Sequence, residues 1–179
     1  EYMGTIEVKH LMQVLAEDVG LERIKEAVKK PLSNLSVAEH MGCHIVRPQK
    51  HIGFDDPENP EILKSLIEAT GARCLDYMDE AECCGAPVAG INDRIPLALT
   101  RDKLSHMKAV NAQAVITVCP FCHMMFDTNQ MRIERMFNET YGMPVLHYPQ
   151  LLGLAMGFTP EELALKELRV DASKVVALV

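Results

Sequence analysis

Residues 114–123 read Ala-Val-Ile-Thr-Val-Cys-Pro-Phe-Cys-His, an apolar and mostly β-branched run that gives way at Cys119 to a proline and a second cysteine. A run from Ala114 to Val118 with no polar alternation fits a strand covered on both faces. Cys122 to Phe137 then carry a helical pattern, so the stretch is a strand feeding directly into a helix. Downstream, Val145 to Tyr148 reads as another strand. Upstream, a helix from about Ile95 to Val110 buries Leu97, Leu104 and Met107, and Ala72 to Tyr77 precedes it as a strand. Before that strand, Asn59 suits an N-cap, Pro60 the first helical position and Glu61 the dipole, with Gly71 as the stop. Ile62, Leu63, Leu66 and Ile67 give that helix one buried stripe, and Leu35 to Met41 supplies the first strand. Strands alternating with helices of this length predict an α/β fold of three layers, a mostly parallel four-stranded sheet flanked by helices.

The flanks differ from this middle. Ile6 to Lys30 reads as two helices, one carrying Val8, Leu11, Met12, Leu15 and Ala16 and the other Ile24, Ala27 and Val28, with Pro31 as the stop. Without a preceding strand they suit a linker or docking segment over 1–33, in front of a domain over 34–158. Thr159, Pro160 and Glu162 form a capping-box start for a terminal helix within 159–179. The whole is 179 residues, beginning at Glu1, with 18 Lys and Arg against 25 Asp and Glu and a formal charge of −7. No basic block exists to displace counterions, which argues against nucleic acid as a partner. The longest apolar run, Leu151 to Phe158, falls far short of the ~18 residues that suggest a membrane span. With no signal-peptide pattern at the front, a cytoplasmic location is expected.

Six cysteines are many for a reducing compartment, where grouped thiols more often bind metal or do redox chemistry than form disulfides. Cys43 follows the first strand, Cys83 and Cys84 the second, and Cys119 and Cys122 the third. In a parallel sheet these loops share the carboxyl edge, where open α/β folds place their ligands. Cys74 lies within the second strand and reads as core. Cys119 and Cys122 at a helix start are expected to feel backbone N–H groups that favour thiolate. Cys83 and Cys84 reach one site only if the chain turns sharply or the site is wide, and Gly85 supplies a turn. Five thiols exceed the four that zinc takes, and a multi-iron cluster accommodates them better. A zinc site using four of them and a thioredoxin-like Cys119/Cys122 pair remain as alternatives. His44 and His123, each next to a cysteine, are either donors to the site or ordinary histidines, the latter reading being preferred. Met124, Met125, Met131 and Met136 read as helix packing.

Gly42-Cys43-His44 with Arg47-Pro48, then Cys83-Cys84-Gly85, then Cys119-Pro120-Phe121-Cys122-His123 with Phe126-Asp127, resemble the CCG, or cysteine-rich, domain of the heterodisulfide reductase family, in its B-type subunit. The resemblance runs from about Leu35 to Gly157. Similar domains occur in lactate, glycerol-phosphate and succinate or fumarate oxidoreductases. The resemblance implies an oxidoreductase subunit with two such domains, each holding a noncubane [4Fe-4S] cluster. The ligands here would be Cys43, Cys83, Cys84, Cys119 and Cys122, with zinc or an empty site as the forms expected of isolated protein. It further implies reductive cleavage, in methanogenesis, of the coenzyme M–coenzyme B disulfide between two clusters. Electrons would come through a ferredoxin-like iron–sulfur subunit from a flavin subunit. One cysteine quintet instead of two matches the C-terminal half of such a subunit. The expected partner is then an N-terminal CCG half, or a second copy in a homodimer, and this chain alone should not turn over the disulfide.

Overall fold

The computed structural model describes residues 3–179. The first helix, α1 (Leu11–Gln13), widens into a π-helical stretch, Val14–Val19, and is followed by α2 (Leu21–Ala27). Then come β1 (Ser36–His40), a short α3 (Gln49–Ile52), α4 (Ile62–Ala69) and β2 (Arg73–Leu75). The long α5 (Arg94–Ala109) leads to β3 (Ala114–Thr117) and α6 (Pro120–His123). A π-helical turn, Met124–Thr128, joins α6 to α7 (Gln130–Phe137). β4 (Val145–His147), α8 (Tyr148–Ala155) and a short α9 (Ser173–Val176) complete the chain.

The four strands form one parallel sheet in the order β2-β1-β3-β4. Strand alternation sends the two faces into different cores. Val37, Cys74, Ala114, Ile116 and Leu146 pack with α4, α8 and the N-terminal helices. Ala38, Val115 and Val145 pack with α5 and the α6–α7 helix. This is the three-layer α/β architecture read from the sequence, and Cys74 is a buried core residue.

From β1 the chain moves to β2 on one side and then returns to β3 on the other. The carboxyl ends of β1 and β3 therefore flank the point where the winding reverses, the place where open α/β sheets form a ligand crevice. No helix among the described residues is long and apolar enough to cross a membrane.

Several local expectations are corrected. The first helix begins at Leu11, so Val8 lies ahead of it in exposed chain, whereas Met12 and Ile24 are buried in the main core. Asn59 does not cap α4. The Asp55 carboxylate does, accepting the Ile62 N–H at 2.8 Å, while Asp56 accepts the N–H groups of Glu58 and Asn59. The side chain that competes best for the orphan N–H wins, and it comes from seven residues upstream. Thr159 and Glu162 do form their reciprocal hydrogen bonds, yet turns rather than a helix follow, with Ala164 left-handed. The apolar run from Leu151 to Phe158 begins within α8, which follows β4 without a loop and ends at Ala155. Of the four methionines assigned to packing, Met125 is buried, while Met124, Met131 and Met136 face outward.

Candidate metal centre

β1 ends at His40, and two residues, Met41 and Gly42, carry the chain across the crevice to Cys43. Gly42 adopts φ +82°, and a Cβ there would stand 3.1 Å from the Cys119 Cβ and 3.6 Å from the Cys122 Sγ. A side chain at this position would therefore fill the space between the first and third cysteine loops. Arg47 ties the Cys43 loop to its neighbours, donating to the Ala81 carbonyl at 3.1 Å and to the Pro57 carbonyl.

The second loop is held from below by α5. Lys103, only 1% exposed, donates to the Asp79 carbonyl and lies 5.4 Å from the centre of the Tyr77 ring. The Thr100 hydroxyl donates to the Cys84 carbonyl at 2.8 Å. Gly85 turns the chain at φ +91°, where a Cβ would come within 2.8 Å of the Pro96 Cα. That turn resolves the problem posed by adjacent cysteines. The Cys83 Sγ lies 3.8 Å from that of Cys43, and the Cys84 Sγ lies 3.3 Å from that of Cys122. The neighbours face two directions, and the site is wide enough to be met from both.

All five of Cys43, Cys83, Cys84, Cys119 and Cys122 line one cavity of about 350 Å³. A single water needs only ~30 Å³. Ala86, Pro87, Ala89 and Phe121 form its apolar walls, and no carboxylate belongs to its lining among the described residues. Soft sulfur donors without hard oxygen donors suit iron–sulfur or zinc chemistry and not magnesium or calcium.

The thiols are electrostatically unequal. Cys84 is held low, at about 4, chiefly by its shared proton with Cys122 and then by His40 beside it, against the cost of burial. Cys119 is lowered to about 6 by Cys122 and by the N–H groups of Cys122 and Phe121 at the start of α6. Cys122 itself is pushed up because Cys119 and Cys84 both draw on its proton. The helix start thus favours thiolate at Cys119 only, and Cys122 departs from the sequence expectation. Cys43 is raised to about 11 by burial and by Cys83.

Among the histidines, His44 is exposed at the cavity mouth. His123 stacks on His147 with ring centres 4.3 Å apart. The buried Asp127 carboxylate accepts the N–H groups of Arg169 and Val170, each at 2.9 Å, fastening the C-terminal tail to the helix that carries Cys122. Sequence reading missed His40, Lys103 and Thr100. A polar residue at the end of an apolar strand and a lysine on the Leu97, Thr100, Leu104, Met107 side of a helix were the available signals.

An α/β crevice built from five thiols defines a metal- or cluster-binding redox domain. The comparisons with known proteins place it more narrowly. The CCG cysteine-rich domain family matches residues 37–127, and the chain belongs to that family. It is 40% identical over 169 residues to the B-type subunit of the ferredoxin/F420H2-dependent CoB-CoM heterodisulfide reductase of Methanosarcina acetivorans, covering 93% of this chain and 56% of that protein. It is 37% identical over 174 residues to the 8-methylmenaquinol:fumarate reductase membrane anchor subunit of Wolinella succinogenes, covering 97% and 61%. The chain thus spans about three-fifths of the length of these relatives. A crystal structure of a hypothetical protein from Helicobacter pylori shares the fold, with a TM-score of 0.64 and 15% identity over 84% of this chain and 28% of that one.

Proposed function

We propose that this chain is the redox domain of a heterodisulfide-reductase-like B-type subunit, with Cys43, Cys83, Cys84, Cys119 and Cys122 holding a noncubane [4Fe-4S] cluster. The observation that carries this reading is the convergence of five thiols on one apolar-walled cavity. When bound, the cluster supplies one-electron transfer and an iron centre able to act as a Lewis acid toward sulfur. The reaction consumes a disulfide R–S–S–R′, two electrons and two protons, and yields RSH and R′SH. A CoM-S-S-CoB-type substrate is favoured by the names of the heterodisulfide reductase relatives.

The residues of this chain would serve that reaction in distinct ways. The buried pair Cys84 and Cys122 anchors the centre, while the half-buried Cys43 and Cys83 face the cavity mouth. Ala86, Pro87, Ala89 and Phe121 exclude water from the carbon chains of a thiol substrate. Phe121, which lines this cavity, is exposed, and so are Val88 and Ile91 on the chain that continues from Pro87 and Ala89 of its wall. This apolar rim suits the N-terminal CCG half expected opposite, with residues 1–33 as linker and 34–158 as the cysteine-rich domain. A ferredoxin-like subunit and, through it, a flavin subunit would deliver the electrons in the cytoplasm.

A zinc-holding CCG module is the second reading, favoured by the placement of His40, Cys84 and Cys122, whose ligand atoms all lie within 4.8 Å of one another. Anaerobic reconstitution with iron and sulfide, followed by metal analysis, absorption and EPR, separates the two. Four iron with inorganic sulfide per chain, dependent on Cys83 and Cys84, supports the cluster. One tightly held zinc with no recoverable cluster overturns it.

A further inference from the structure

His40 is the last residue of β1, and its ring is fully enclosed, at 1% exposure. Neither ring nitrogen has a well-aligned hydrogen-bond partner among the described residues. A buried polar group without a partner is destabilising relative to an apolar side chain of similar shape, so a histidine here calls for a use. The ring is set edge-on against Phe126 with centres 5.1 Å apart, and a ring nitrogen lies within 4.8 Å of the sulfurs of Cys84 and Cys122. It reaches the two buried thiols from the end of β1 and does not line the five-thiol cavity. Among the charged side chains, Lys103 and Asp79 act on it from the α5 side.

We propose that His40 is a positioning residue of the metal centre, donating one ring N–H to the sulfur of Cys84 when that sulfur is bound to iron. The inference deepens the cluster reading above and rests on it. Iron fixes a bound thiolate in place as a strong acceptor, so the ring N–H that has no aligned partner beside the metal-free cysteines gains one. The charge on sulfur grows further when the cluster is reduced. An N–H aimed at it therefore stabilises the reduced form and raises the reduction potential. Because the bond comes from a buried strand end packed on Phe126, it would also fix the inner side of the site.

The test uses this chain reconstituted anaerobically, as wild type, His40→Leu and His40→Gln. EPR-monitored redox titration is expected to show the Leu variant shifted to more negative potential at unchanged iron and sulfide content. Gln, which keeps an amide N–H, should restore most of the shift. Wild type labelled with 15N-histidine should show a weak nitrogen coupling to the paramagnetic centre that is absent from His40→Gln, which separates it from any coupling to His44 at the cavity mouth. A large coupling diagnostic of direct iron–nitrogen ligation overturns the hydrogen-bond role. An unchanged potential in His40→Leu together with no 15N coupling also overturns it, leaving the cluster reading intact. Wild type that takes up no iron overturns both.

Discussion

Two cysteine pairs occupy one cavity under opposite conditions. Cys84 and Cys122 are buried, 3.3 Å apart, pinned by Thr100 and backed by His40, and their shared proton holds Cys84 at about 4. Cys43 and Cys83 are half-buried, 3.8 Å apart, carried on loops joined by Arg47, and Cys43 is raised to about 11. The inner pair is rigid and holds a thiolate in readiness. The outer pair is more open to solvent, and burial and Cys83 favour the protonated form of Cys43. On the proposed function, a centre that stays bound while a substrate sulfur comes and goes would use both kinds of anchor.

The largest expected effect breaks the inner side. Cys84→Ser should abolish iron retention after reconstitution, whereas Cys43→Ser should keep a measurable share that chelators remove faster. Equal loss in both, read by iron analysis before and after chelator, would dissolve the distinction. Gly85→Ala comes next. The alanine must sit at φ +91° with its Cβ 2.8 Å from the Pro96 Cα, so it should cost about 3 kcal/mol in denaturant unfolding and drive Cys84 away from Cys122.

These two predictions also show where the sequence was informative. The sheet, its parallel strands and the gathering of Cys43, Cys83, Cys84, Cys119 and Cys122 at one edge follow from hydrophobic period and loop placement, which are local signals. The pairing within the quintet does not. Which sulfur meets which depends on the turn at Gly85 and on Thr100 and Lys103, residues on a helix reached only through the tertiary fold. The α4 cap was misread for the same reason, since Asp55 reaches Ile62 across a loop and outcompetes the local Asn59. His40 gave a signal, a polar residue ending an apolar strand, but one that is the same whether the histidine fills a core or faces a ligand.

Smaller effects sharpen the outer side. Arg47→Met removes the link between the Cys43 loop and Ala81, and because Arg47 is partly exposed the loss should be about 1 kcal/mol in thermal or denaturant unfolding. In metal-free protein, alkylation mapped by mass spectrometry should modify Cys119 first, with an inflection near its pKa of about 6, and Cys43 only near about 11. Alkylation of Cys43 at neutral pH as fast as Cys119 would contradict the inequality of the two thiols.

The smallest effect concerns Glu39, whose side chain leaves β1 on the face away from His40. It is 4% exposed, and its carboxyl is raised well above the ordinary range, chiefly by burial and then by Glu80 and Asp55. The folded chain therefore keeps this proton to higher pH than the unfolded chain does. Its contribution to stability is full below the unfolded carboxylate value and is lost as pH rises toward the folded one. Glu39→Gln should flatten that decline and raise stability at neutral pH relative to acid pH, measured by urea unfolding from pH 4 to 8. Glu139 supplies the opposite slope as an internal control. Arg101 holds it low, at about 2, so its contribution is present above the ordinary carboxylate value and fades as pH falls toward 2. A Glu39→Gln curve parallel to wild type across pH 4 to 8 would mean that the carboxyl is ionised in the folded chain. Glu80 and Asp55, the carboxylates that act on it, would then face a charge and not a neutral group.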